Sequence, residues 1–230
     1  PGAAAELVWR FAELADRAGA RPVFYALGAD YLPLYLDLGL AILKTGEVAR
    51  VALPEFSLKG KRRQDLRQAL HRTERDGLSF AIVPRAEVPA LLPALKEVSD
   101  TWLAIKAGRE KGFSLGRFDE RYLTAFDIAV LRQGETIVAF ANVLRGAERS
   151  ELSIDLMRYR PDVSKSLMDA LFAHLMLYGQ EAGYQWFNLG AAPLAGLADH
   201  PLASTWNRIG TVIYRHGDAF HHFEGLRAFK

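Results

Sequence analysis

Ser153-Ile154-Asp155-Leu156-Met157-Arg158-Tyr159-Arg160-Pro161-Asp162 decides the fold, because it reads as a strand running into a charged corner and then into a helix. Alternation places Leu152, Ile154 and Leu156 on one face and Glu151, Ser153 and Asp155 on the other. A lone carboxylate on the polar side of a strand reads as plain surface or as chemistry, and the strand alone does not choose. Arg158 has the wrong parity to join Asp155 unless the strand ends or bulges near Met157, and bulges are common beside active sites. A paired Asp155 and Arg158 would keep the carboxylate ionised and ready to accept a hydrogen bond.

Outward from this corner, the apolar spacing predicts mixed α and β structure. Upstream it gives helices over 4–18, 31–38, 61–76 and from Pro89, with strands over 22–27, two between 40 and 53 about Gly46, and 78–83. A short helix about Tyr122 precedes three consecutive strands at 128–132, 136–144 and 151–157. A helix over 165–182, a strand at 186–189 and a helix holding Trp206, Ile209 and Ile213 complete the chain. An antiparallel run followed by a strand–helix–strand crossover is the expected architecture. The boundary expected from this pattern lies near Pro84. Trp102, Trp186 and Trp206 fall at apolar register positions, and packing into the core is their default reading.

Composition narrows the function. With 230 residues, 50% hydrophobic and 24% charged, the chain can bury a real core. Cysteine is absent, so disulfides and thiolate metal sites are excluded. Leu27 to Leu43 is the most apolar long run, but Asp30, Pro33 and Asp37 break it before the ~18 residues a membrane span needs. The six histidines lack carboxylates at metal-ligating spacing, so no metal site is expected. The formal net charge is +2, yet Arg50, Lys59, Lys61, Arg62, Arg63, Arg67, Arg72 and Arg75 crowd one stretch. Such a block suits a polyanion, whether the phosphates of RNA or anionic lipid, and it also suits an ordinary solvated helix face.

The strand order and the Arg-containing turn look like the acetyltransferase (GNAT) architecture. In that architecture glycines in the turn before the helix hold the coenzyme A pyrophosphate. Here the turn is Pro161-Asp162-Val163-Ser164-Lys165-Ser166, without glycine and with an acid inside it. Coenzyme A is therefore not expected.

A more specific resemblance rests on long motifs spread along the chain. They are Phe56-Ser57-Leu58-Lys59-Gly60-Lys61-Arg62-Arg63-Gln64-Asp65-Leu66-Arg67, Lys111-Gly112-Phe113-Ser114-Leu115-Gly116, Ala139-Phe140-Ala141-Asn142, Asp155-Leu156-Met157-Arg158, Leu189-Gly190-Ala191-Ala192-Pro193-Leu194, Trp206-Asn207-Arg208, Ile213-Tyr214-Arg215-His216-Gly217 and Gly225-Leu226-Arg227-Ala228-Phe229-Lys230. Together they resemble the cytosolic domain of the phosphatidylglycerol aminoacyltransferases, the multiple peptide resistance factor family. The family's small Asn-Gly-like turn is replaced here by Lys165-Ser166. Its pattern also begins before Pro1 and continues beyond Lys230.

The resemblance implies tandem GNAT-like units similar to the Fem peptidyltransferases, in a mixed α+β fold with mostly antiparallel sheets flanked by helices. Residues 1–84 would form the first unit with its basic helix, and 85–230 the second unit with the active site. It further implies transfer of an aminoacyl group, alanyl ahead of lysyl, from aminoacyl-tRNA to a glycerol hydroxyl of phosphatidylglycerol. That changes membrane lipid charge and resistance to cationic antimicrobial peptides. No cofactor is implied, because the donor ester is already activated. An N-terminal transmembrane domain of the same polypeptide would hold the site at the cytoplasmic face of the bacterial inner membrane. Asp155, Arg158 and Tyr122 are the expected catalytic residues. Lys230, Arg160 and Arg215 are expected on lipid phosphate or tRNA, and Lys61, Arg63, Arg67 and Arg72 on tRNA. The alternatives are a coenzyme A-dependent N-acyltransferase and a non-catalytic module that binds tRNA or membrane.

Overall fold

The structure is a computed structural model that describes residues 2–106, 116–164, 166–198 and 200–216, with the side chains of 212–216 left aside. Helices α1 (Gly2–Arg17) and α2 (Leu32–Asp37) precede strand β1 (Gly46–Ala52). Helix α3 (Gln64–Arg75), strand β2 (Leu78–Val83), helix α4 (Val88–Lys106) and the short helix α5 (Glu120–Leu123) follow. Strands β3 (Asp127–Gln133), β4 (Thr136–Arg145) and β5 (Glu151–Tyr159) form the antiparallel run. Helix α6 (Leu167–Glu181), strand β6 (Trp186–Pro193) and helix α7 (Thr205–His216) end the described chain.

One six-stranded sheet runs in the order β1-β6-β5-β4-β3-β2. Every pairing is antiparallel except β5 with β6, which α6 connects as a crossover. The expected mixed α+β class, with a mostly antiparallel sheet between helices, is the one found. Strands from both sides of Pro84 share this sheet, with β1 and β2 as its two edges.

Two apolar layers sandwich the sheet. Leu131, Ala141, Val143 and Leu152 meet Leu70 of α3 and Leu171 and Leu175 of α6 on one face. On the other, Ile128, Val130, Phe140 and Leu156 meet Val88, Leu95 and Val98 of α4 and Leu123 of α5. Helix α6 lies flush with the sheet because Gly179 lets it approach: a β-carbon there would stand 2.8 Å from Leu53 Cδ1.

Three local expectations are corrected. Residues 22–27 and 40–45 are not strands, although they are rich in branched and aromatic residues. Strand propensity yields a strand only where a partner offers a ladder, and Val23 is 80% exposed with no such neighbour. Phe24 instead packs between Phe11, edge-on, and Tyr35, tilted, with ring centroids 5.3 and 4.9 Å away. Trp186 and Trp206 are also not core residues, being 42% and 37% exposed; the Trp206 indole N–H donates to the Lys44 carbonyl at 2.9 Å.

Candidate active site

Asp155 lies where β5 departs from regular pairing. Opposite it on β4, Ala141 faces Met157 while Val143 faces Ile154, so β5 spends three residue steps against two. That is a β-bulge, and Asp155 and Leu156 both sit against Asn142. The extra residue reverses the alternation. Ile154 packs with the α3 and α6 layer, whereas Leu156 packs with α4, so Leu156 is not on the face of Leu152 and Ile154 as regular alternation predicts. Arg158 follows Leu156 to the α4 side, which is the side Asp155 already occupies.

Around the carboxylate the geometry is tight. The Tyr122 hydroxyl donates to Asp155 Oδ2 at 2.5 Å, and the Gly116 backbone N–H donates to Oδ1 at 2.8 Å. Asp119 caps α5 by accepting from the Tyr122 N–H at 3.0 Å, which fixes the turn that presents the phenol. The Tyr122 hydroxyl is pushed up to about 12. Partial burial contributes most, followed by Asp155 as acceptor and as a neighbouring negative charge, while Asn142 acts in the opposite sense. Tyr122 is thus a protonated donor at neutral pH.

The expected Asp155–Arg158 ion pair is replaced by different partners. Arg158 is 9% exposed, and its guanidinium lies 4.3 Å from the centroid of Trp102 on α4. Its Nη1 donates to the Met157 carbonyl at 2.9 Å. The two residues share a face and a neighbourhood, each held by its own contacts.

Beside this corner the sheet opens. β5 and β6 pair from Glu151 and Trp186 as far as Ser153 and Asn188. Past that point β6 follows β1, with a register shift opposite Ala49 and Arg50. Gly190 turns there with φ +83°, and its N–H is held by Asn188 Oδ1 at 2.7 Å. Among the described residues the part of β5 that carries Asp155 therefore lies beyond the stretch paired with β6.

The remaining expected residues separate. Lys61 and Arg63 line a cleft of about 590 Å³ between β1 and the loop before α3, together with Arg50, Phe56, Lys59 and Arg62. Arg63 lies over the Phe56 ring at 5.6 Å. Arg67 turns inward, its Nη1 donating to the Leu58 carbonyl and to the Gly60 carbonyl at 2.7 Å. Arg72 donates to Ser166 Oγ at 2.8 Å at the start of α6, where Ser164 Oγ accepts from the Ser166 N–H. Arg160 pairs with Glu97 and Asp162 at 3.3 and 3.5 Å. Arg215 falls within α7, its side chain aside, and Lys230 lies outside the described residues. Among the described residues no cluster of three or more His, Asp or Glu is placed to hold a metal, and no helix is long and apolar enough to cross a membrane.

Sequence reasoning missed Gly116, Asn142 and Trp102 as parts of this site. Gly116 and Asn142 occur in the family-like motifs, and a glycine ending a Gly-Phe-Ser-Leu-Gly run was the one available signal.

Comparison with known proteins gives a single answer. The family model for phosphatidylglycerol lysyltransferase, C-terminal, matches residues 1–230. A phosphatidylglycerol lysyltransferase of Bacillus subtilis is 41% identical over 96% of this chain and 26% of its own length. One from Staphylococcus aureus is 32% identical over 98% of the chain and 27% of its own. The chain thus spans about a quarter of the curated relatives it matches. Among solved structures, a C-terminal domain assigned to lysylphosphatidylglycerol synthetase from Agrobacterium fabrum superposes with TM-score 0.80 at 44% identity, covering 98% of this chain and 68% of that one. L-PGS from Bacillus licheniformis gives 0.75 at 40%, covering 89% and 64%.

Proposed function

We propose, because this chain belongs to the phosphatidylglycerol lysyltransferase C-terminal family, that it moves an aminoacyl group from aminoacyl-tRNA to a glycerol hydroxyl of phosphatidylglycerol. The observation that carries this reading is the donor–acceptor pair of Tyr122 and Asp155 beside the buried Arg158 on one face of the sheet. The donor ester needs neither ATP nor metal, only positioning, removal of the alcohol proton and stabilisation of charge on the carbonyl oxygen. In this reading Asp155 accepts the hydrogen bond of the incoming alcohol and takes its proton as the carbon–oxygen bond forms. Tyr122, protonated at neutral pH, turns its single O–H from Asp155 to the carbonyl oxygen of the ester when substrate binds, which frees Asp155 Oδ2 for the alcohol. Arg158 supplies a fixed cation for the lipid phosphate or that oxygen. The proton taken by Asp155 then passes to the departing 3′-oxygen of the tRNA as its carbon–oxygen bond breaks, which balances the exchange of one ester for another.

The cleft at Lys61 and Arg63 is assigned to phosphates of the tRNA donor, supported by its cations and by an aromatic floor at Phe56. The curated relatives above are named for lysine, and that weighs towards a lysyl cargo over the alanyl one expected from the sequence. By the same family resemblance, this domain would act at the cytoplasmic face of the membrane.

The test is a transfer assay with the complete polypeptide, phosphatidylglycerol vesicles, and lysyl- and alanyl-tRNA. Labelled lipid product that disappears with Asp155→Asn, while circular dichroism is unchanged, supports the reading. Undiminished product in that variant refutes it, as does transfer only from an acyl-coenzyme A.

A further inference from the structure

Asn142 is wholly buried on β4, yet it is a polar residue in the middle of an apolar strand, between Ala141 and Val143. Its side-chain Oδ1 accepts two successive backbone N–H groups, from Asp155 at 3.1 Å and from Leu156 at 2.7 Å. Those are the two residues that crowd against it in the bulge. In an antiparallel ladder only alternate facing pairs exchange N–H···O bonds, so a doubled residue disrupts the ladder and leaves an amide without a main-chain acceptor. Buried amides seldom go unpaired. Here the side-chain carbonyl takes both. Among the described residues its Nδ2 forms no full hydrogen bond, although it lies close enough to the Tyr122 hydroxyl to favour its ionised form, so the carbonyl is the atom that holds the strand.

We propose that Asn142 is a positioning residue for the transfer site: its side-chain carbonyl stabilises the bulge, and the bulge sets Asp155 and Arg158 on one face of the sheet. The consequence of removing it follows from parity. Without the extra residue, regular alternation from Asp155 returns Arg158 to the α3 and α6 face, in place of Met157 and Tyr159, which pack there now. A guanidinium stays charged, and burying it there without a partner is costly. The chain must then keep the bulge with two unpaired amides or give up the stack of Arg158 on Trp102. Either outcome disturbs Asp155 while leaving the rest of the sheet intact.

This inference rests on the transfer reaction proposed above, and its test separates the two. Asn142→Leu keeps side-chain size and removes the acceptor, and Asn142→Ser keeps a shorter acceptor. Hydrogen–deuterium exchange of the complete polypeptide reads the peptide spanning 153–158, and vesicle assays read kcat and the KM for the tRNA. For Asn142→Leu we expect exchange at Asp155 and Leu156 at least about tenfold faster with α6 protection unchanged. We expect kcat to fall about 100-fold, the scale of a 1 Å misplacement, with KM within about threefold. Asn142→Ser should fall between this variant and the wild type in both measurements. If Asn142→Leu does not fold, Asn142→Ser alone decides, and wild-type exchange with wild-type kcat in it overturns the proposal. The same result in a folded Asn142→Leu overturns it too. An inactive wild type would refute the transfer reaction, while the exchange measurement would still judge the role of Asn142 in the bulge.

Discussion

The Tyr122 hydroxyl and Asp155 Oδ2 are 2.5 Å apart, although 33 residues separate them in the chain and they sit on different elements. Tyr122 is the donor, so the carboxylate is oriented before any substrate arrives, with its other oxygen held by Gly116. Tyr122→Phe removes one donor without changing the ring that packs edge-on against Phe126 at 4.9 Å. We expect kcat to fall 10²-fold or more, the usual scale of a lost acid–base partner, with the melting temperature changed little.

The same hydroxyl gives a pH signature. Its folded value of about 12 stands above the ordinary tyrosine value of 10.0. The folded protein therefore holds this proton more tightly than the unfolded chain between those values, and the associated stability is lost as pH rises from 10 through 12. Ultraviolet titration of wild type against Tyr122→Phe should show one tyrosine with a midpoint near 12, absent in the variant. A midpoint near 10 in that difference spectrum would mean that Asp155 and burial do not act on it.

Gly116 is predicted to tolerate no side chain. A β-carbon at 116 would overlap Asp155 Oδ2 and stand 3.0 Å from its Cγ and 3.1 Å from Leu156 Cβ. Gly116→Ala should displace the carboxylate and lower kcat by about 10²-fold, with circular dichroism unchanged. Activity within twofold of wild type would show that the Gly116 contact is dispensable.

Arg158 is not replaceable by lysine. The guanidinium plane lies over Trp102 at 4.3 Å, and a partly desolvated cation–π contact of this kind is worth about 1–2 kcal/mol. An ammonium keeps the charge but loses the flat, multiply donating shape. Arg158→Lys should lose most activity, and Trp102→Leu should loosen the arginine and raise KM for the lipid. Vesicle titrations at fixed tRNA check both.

The basic helix divides into two kinds of arginine. Lys61→Ala and Arg63→Ala should weaken tRNA binding and lower the salt dependence by about one ion each, with the melting temperature unchanged. Arg67→Ala leaves the Leu58 and Gly60 carbonyls without their donor and should cost about 1–3 kcal/mol of stability. Filter binding across salt concentrations and thermal unfolding distinguish the two groups.

Most elements of the sheet were legible from local pattern. β2 and the β3–β4–β5 run carry continuous or alternating apolar residues between Gly77, Gly134 and Gly146, and they form where the spacing places them. The candidate corner was legible as well, down to the bulge that Arg158 needs. The runs at 22–27 and 40–45 misled because β-branched composition says nothing about whether a neighbour exists to pair with. Arg67 and Arg72 read as an outward basic face, since helical spacing gives a direction but not the carbonyls and hydroxyls waiting there.

By itself the sequence marked Asp155 and Arg158 as candidates, through a local run and a family-like motif, and Tyr122 through the family resemblance. Only the tertiary structure decided how they meet. The doubled residue opposite Asn142, the close approach of Gly116 and the stack on Trp102 all lie between strands and helices far apart in the chain, and a hydrogen bond across a sheet leaves no period in the sequence of either partner.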